Sequence, residues 1–146
     1  MGTAEIKDPY GSFNFRVEIG GITRAAFQQV TGFDSTIEVV EHREGGENTT
    51  VRKIPGLTKY SNIVLKWGLT DDTDLYEWHR RCIEGDIERK TVTIFLLDRR
   101  GQTVHRWQLT RAWPTKFDTP DLNAEGSDAA IMTFELAHEG WVSEKG

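Results

Sequence analysis

The sequence has almost no cysteine. Cys82 stands alone among 146 residues, so no internal disulfide can form. A single thiol fits assembly in a reducing cytoplasm, although many exported proteins also lack cysteine. Long apolar runs are missing too. No stretch approaches the ~18 consecutive apolar residues of a membrane helix, so no membrane span is expected. Met1 to Tyr10 is polar and has no apolar signal-peptide core. There is no internal repeat and no low-complexity tract. Positive charge is scarce: 18 Lys and Arg against 23 Asp and Glu give a net charge of -5. A basic nucleic-acid binder is thereby excluded for the chain as a whole.

Catalytic signatures are equally absent. His42, His79, His105 and His138 are scattered and form neither an HExxH helix pattern nor part of a Cys-x-x-Cys pair. No G-x-S-x-G elbow, GxxxxGK[ST] loop or GxGxxG turn occurs. His79 and Cys82 are three apart and share a helix face. A metal site needs about three or four ligands, and no partner pair is visible. The plainer reading puts both residues at the border of the core. Cys82 has no base placed beside it, so it reads as a small buried apolar residue rather than a nucleophile. Asp71, Asp72 and Asp74 do not meet the EF-hand pattern and read as helix-start residues. No catalytic residue, cofactor or metal is expected. Arg80-Arg81 and Arg99-Arg100 are the only basic doublets and read as solvated charge.

What is present is alternation. The chain is 37% hydrophobic, with five Trp and seven Phe, enough for one domain's core. Met1 to Asp8 reads as a flexible arm ending at Pro9, with one domain over residues 10–146. Phe13, Phe15, Val17 and Ile19 alternate with polar residues, which marks a half-buried strand. Gly20-Gly21 signals a turn, and a short strand covers Ala26 to Val30. Ser35 to Arg43 is a strand with Ile37 and Val39 on one face. The polar loop Glu44–Thr50 follows, too long for a tight hairpin turn. Val51 to Ile54 returns as a strand that Pro55-Gly56 breaks.

Asn62 to Trp67 is the next strand. The acidic start then leads into the one helix, where Leu75, Trp78, His79 and Cys82 fall on one face. Gly85 is its stop. Thr91 to Leu97 is the most apolar strand and is expected to be central. Arg99 to Gln102 is a hairpin turn, and Thr103 to Thr110 returns. Pro114 and Pro120 bracket a loop. Asp128 to His138 is the last strand, with Met132, Phe134 and Leu136 on one face. About seven strands and one helix imply a mainly β fold: an antiparallel barrel or sandwich with one flanking helix.

The order of landmarks adds a resemblance. Gly32-Phe33-Asp34 precedes the strand Ile37–Arg43 and its glycine-containing loop. Ile54-Pro55-Gly56-Leu57 and Leu65-Lys66-Trp67-Gly68 follow. Leu75-Tyr76-Glu77-Trp78 comes next, then Leu96-Leu97-Asp98, Trp107, Ala112-Trp113-Pro114 and finally Ala137-His138-Glu139-Gly140. This set, spread over residues 10–141, resembles the tail tube (inner tube) proteins of contractile phage tails and extracellular contractile injection systems. The type VI secretion tube protein is similar in fold.

The resemblance implies hexameric rings stacked head to tail into a hollow conduit inside a contractile sheath. It also implies partners: further copies of the chain, a sheath protein, baseplate and cap proteins, and protein or DNA cargo in the lumen. Assembly in the bacterial cytoplasm is expected. Closure of strand edges against a neighbour agrees with this, since free edges are a hazard in a monomer. The loop Arg43, Glu44, Gly45, Gly46, Glu47, Asn48, Thr49 and Thr50 then reads as an arm reaching another subunit; the alternative is a mobile surface loop. A net acidic subunit is expected not to grip DNA by its phosphates. Two rivals keep the fold: a tube-initiating adaptor at the baseplate, and a small β-barrel that binds a ligand in its mouth.

Overall fold

The computed structural model describes residues 14–20, 22–43, 45, 50–68, 73–120 and 130–145. The expected N-terminal arm, Phe13, Asp71, Asp72 and the start of the strand at Asp128 lie outside them. The described residues form nine strands and one helix. The strands are β1 (Asn14–Ile19), β2 (Ile22–Thr31), β3 (Ser35–His42), β4 (Arg52–Tyr60) and β5 (Ile63–Gly68). After the helix α1 (Asp74–Ile83) come β6 (Lys90–Leu97), β7 (Thr103–Asp118), β8 (Ile131–Ala137) and β9 (Trp141–Lys145).

Strands β6, β1, β2, β5, β8 and β7 pair in that order, and β7 pairs back to β6. Every pairing is antiparallel, so six strands close into a barrel. Closure removes the edges that an open sheet would present. Strand β9 is added outside the ring, on β7. Strands β3 and β4 pair only with each other.

The alternation explains the core. Val17 and Ile19 of β1, Ile63 and Leu65 of β5, Val92 and Ile94 of β6 and Phe134 and Leu136 of β8 point inward and are buried. They fill the barrel interior. The apolar strand β6 lies between β1 and β7, as its composition suggests. Helix α1 supplies Trp78 to the same core. The Trp78 indole N–H donates to the Glu88 carbonyl at 2.8 Å, and its ring lies 6.0 Å from that of Phe134. His79 Nδ1 donates to the Pro114 carbonyl at 3.3 Å, and Cys82 packs against the core margin. Both sit where the plainer reading put them. Thr73, not an aspartate, occupies the N-cap, and its side chain makes no capping bond. Asp74 and Glu77 nevertheless lie in the first turn, where the helix dipole favours them. On the opposite face Arg80 bridges Glu77 and Glu84 at 2.9 and 2.7 Å. The hydrogen bond that Arg80 donates to Glu77, then the charges of Glu77 and Glu84, raise its pKa further.

Four expectations need correction, and proline accounts for two. Strand β4 does not stop at Pro55-Gly56. Between the pairs Ile37–Thr58 and Val39–Pro55, β4 carries one more residue than β3. The resulting bulge is Gly56-Leu57 opposite Glu38, directly after Pro55, and a two-stranded ribbon leaves one side of proline without a ladder to break. Pro114 opens no loop either, because β7 continues to Asp118. A second bulge lies where Ala112 pairs with Lys90 but Leu109 pairs with Val92, and Arg111 there has φ of 51°. It turns β7 from β6 onto β8. The third correction is β2, which spans ten residues rather than five. The fourth is β9, a strand after the one expected to be last; Trp141 is its one large residue on the inner side, too little for a visible period.

A projecting ribbon and its anchor

Strands β3 and β4 form a ribbon with no core of its own. No Cα of either strand lies within 8 Å of another strand or of the helix. At about 3.3 Å per residue, the eight residues of β3 reach about 26 Å. That equals the length of β6, which also has eight residues.

The ribbon is apolar on both faces. Ile37 and Val39 lie on one face, where Val39 pairs with Pro55; Val40 and Ile54 pair on the other. Their exposures are 57%, 60%, 50% and 44%, and Leu57 reaches 68%. An isolated two-stranded ribbon is marginal in water, and clustered exposed aliphatics mark an interaction surface. The Lys59–Glu38 ion pair at 2.7 Å spans one face near the base. At the tip, Arg43, Gly45 and Thr50 are exposed. Glu44, Gly46, Glu47, Asn48 and Thr49 of the expected contact loop lie outside the described residues.

The base of the ribbon is held from both sides. On entry, Phe33 stacks on Trp107 at 4.3 Å between ring centres, and the Trp141 indole N–H donates to the Asp34 carbonyl at 3.3 Å. On exit, Asn62 donates to Glu135 at 2.8 Å, and the Tyr60 ring lies 6.1 Å from Trp141 and 5.7 Å from His138. Gly140 has φ of 142°, and a Cβ there would lie 3.3 Å from the Tyr60 ring. The turn between β8 and β9 is itself fixed to β7. Thr110 donates to the Gly140 carbonyl and Glu139 donates to that of Thr110, each at 2.9 Å. Gly32-Phe33-Asp34 and His138-Glu139-Gly140, far apart in sequence, are therefore linked through Trp141 and Tyr60–Asn62 at the base of the ribbon.

Residues 11–142 match the family described as the T4-like virus tail tube protein gp19. The chain belongs to that family. It is a tail tube subunit of contractile phage tails and injection systems, and the family is one of structural tube proteins. The fold agrees. A chain in the sheath–tube complex of the extracellular contractile injection system PVC, in its extended state, superposes with a TM-score of 0.81 at 26% identity. That match covers 100% of this chain and 99% of the other. A chain in the baseplate of the anti-feeding prophage gives 0.78 at 26% identity, covering 99% and 98%. Hcp1 from Flavobacterium johnsoniae shares the fold, with a TM-score of 0.59 at 16% identity over 91% and 96%. No curated protein sequence matches.

The barrel of the tail tube chain is filled by side chains rather than open at a mouth. A groove of about 260 Å³ lies on the outer face of β1, β6, β7 and β9, over Phe95. Arg106 and Glu144 on its rim pair with each other at 2.6 Å. The exposed aliphatics on the two shafts of the ribbon were not singled out in the sequence, which pointed only to the tip. Their signal was Ile37, Val39 and Val40 close together in a strand with little to pack on.

Proposed function

We propose that the β3–β4 ribbon is the arm by which one tail tube subunit grips others, with the loop Arg43–Thr50 at its leading end. Six copies close into a ring, rings stack into a hollow conduit, and the ribbon is buried between copies. The observation that carries this is the pair of apolar faces on a ribbon whose shaft, among the described residues, packs on no other strand and not on the helix. Burying the five exposed aliphatics offsets the cost of ordering the arm; each full burial contributes about 1.5–3 kcal/mol.

On this reading the protein is structural and not catalytic. Its partners are its own copies, the sheath, the baseplate and the cap, with DNA or protein cargo in the lumen. Residues 10–146 act as one tube domain, and residues 1–9 order on stacking. Assembly takes place in the bacterial cytoplasm. The likeness to a chain of the anti-feeding prophage baseplate supports a second role, an adaptor that starts the tube.

The test is electron microscopy of the purified chain beside a Val39→Asp, Leu57→Asp variant. Wild type is expected to give hollow tubes of uniform width, and the variant monomers. Single rings that never stack would move the assignment to the adaptor. Tubes from the variant would remove the ribbon from the interface.

A further inference from the structure

His138 belongs to a sequence landmark that tube assembly by the ribbon leaves unexplained. Its ring makes two bonds. The Gly140 backbone N–H lies 3.1 Å from Nδ1, and the Ser61 carbonyl lies 2.9 Å from Nε2. A backbone N–H can only donate and a carbonyl can only accept. Nδ1 is therefore the bare acceptor, and Nε2 carries the proton that goes to Ser61. The two bonds differ in reach. One stays within the β8–β9 turn; the other spans 77 positions to the residue that follows β4. The turn is tied to the barrel at Thr110. His138 thus links the barrel to the exit strand of the ribbon.

We propose that His138 is a positioning residue for assembly: its Nε2–H···O bond to Ser61 fixes the angle at which the ribbon leaves the barrel. This rests on the ribbon being the docking arm. A long arm magnifies a change of angle at its root. A ribbon about 26 Å long that swings by about 20° moves its tip by roughly 9 Å, more than the whole width of a two-stranded ladder. Only the correctly aimed fraction of such an arm can dock, and apparent affinity falls in proportion to that fraction. His138 contributes through aim, without touching the partner subunit.

Two isosteric variants separate this role from a local one. Gln places an amide N–H near Nε2 and keeps a donor for Ser61. Asn places its oxygen near Nδ1 and keeps the acceptor for Gly140. The critical concentration for tube formation is measured by sedimentation for wild type, His138→Gln, His138→Asn and the ribbon variant Leu57→Asp. Hydrogen exchange is followed at the ribbon amides of each monomer. His138→Gln is expected to assemble within about threefold of wild type. His138→Asn is expected to need roughly tenfold more protein, as the loss of one hydrogen bond allows. Ribbon amides should exchange faster in His138→Asn alone, with the barrel amides unchanged. Equal assembly of His138→Asn and wild type would overturn the inference, as would a Gln variant worse than the Asn variant. Leu57→Asp separates the two levels. If it assembles normally, the docking-arm reading fails; if it blocks assembly while His138→Asn does not, only the role of His138 fails.

Discussion

Gly32 and Asn62 touch where the chain enters and leaves the ribbon. A Cβ on Gly32 would sit 2.1 Å from the Asn62 carbonyl oxygen, and the φ of Gly32 is 106°. Backbone lies against backbone there, so no flexible side chain can yield. Gly32→Ala is expected to destabilise the fold by about 3 kcal/mol or more. Thermal unfolding should show this as a midpoint roughly 10 °C lower. A shift under about 3 °C would mean that the crossing opens easily.

Trp78 joins α1 to the barrel. Trp78→Ala removes a buried indole and should cost about 3–5 kcal/mol by denaturant unfolding. Trp78→Phe keeps most of the packing but orphans the Glu88 carbonyl, and about 1–2 kcal/mol is expected. Equal effects of the two would show that the hydrogen bond, not the packing, holds the helix.

Arg111 is the one residue other than glycine with positive φ among the described residues. Its exposed pairing with Glu139 at 3.1 Å contributes little. Arg111→Gly should therefore change stability by less than about 1 kcal/mol. Arg111→Val puts a β-branched side chain in the same conformation and should cost about 1–2 kcal/mol. Chemical denaturation of both variants checks the order. A Val variant as stable as the Gly variant would contradict the bulge as the turning point of β7.

Ile37 and Leu57 of the ribbon are more than half exposed in the monomer. Ile37→Asp and Leu57→Asp should leave the unfolding free energy of monomers within about 0.5 kcal/mol of wild type. The same substitutions should abolish sedimentable tubes. Destabilised monomers would instead show that the ribbon packs on its own barrel in solution.

The sequence carried the barrel where burial is one-sided. Phe134 and Leu136 in β8 alternate with half-buried neighbours, so a period of two was visible. Strand β4 runs Lys53, Ile54, Pro55, Gly56, Leu57 with no buried face, so no period existed to read. Pro55 and Pro114 suggested breaks because a bulge, which tolerates proline, depends on the pairing partner rather than on local sequence. The joint was present only as separate landmarks. Nothing within Gly32-Phe33-Asp34 or His138-Glu139-Gly140 says that they are joined through Trp141 and Tyr60–Asn62, because those links are tertiary. Polarity alone marked the loop Arg43–Thr50 as a projection, and of it only Arg43, Gly45 and Thr50 are among the described residues. The exposed aliphatics below it became visible only once the topology left Ile37, Val39 and Ile54 at the surface.

The most direct measurement is cryo-electron microscopy of the purified wild-type chain at assembling concentration. The expected result is a tube of stacked rings in which Ile37, Val39, Val40, Ile54 and Leu57 are buried against neighbouring copies. A tube whose ribbons stand free in solvent, or a chain that stays monomeric at every concentration, would contradict the central claim.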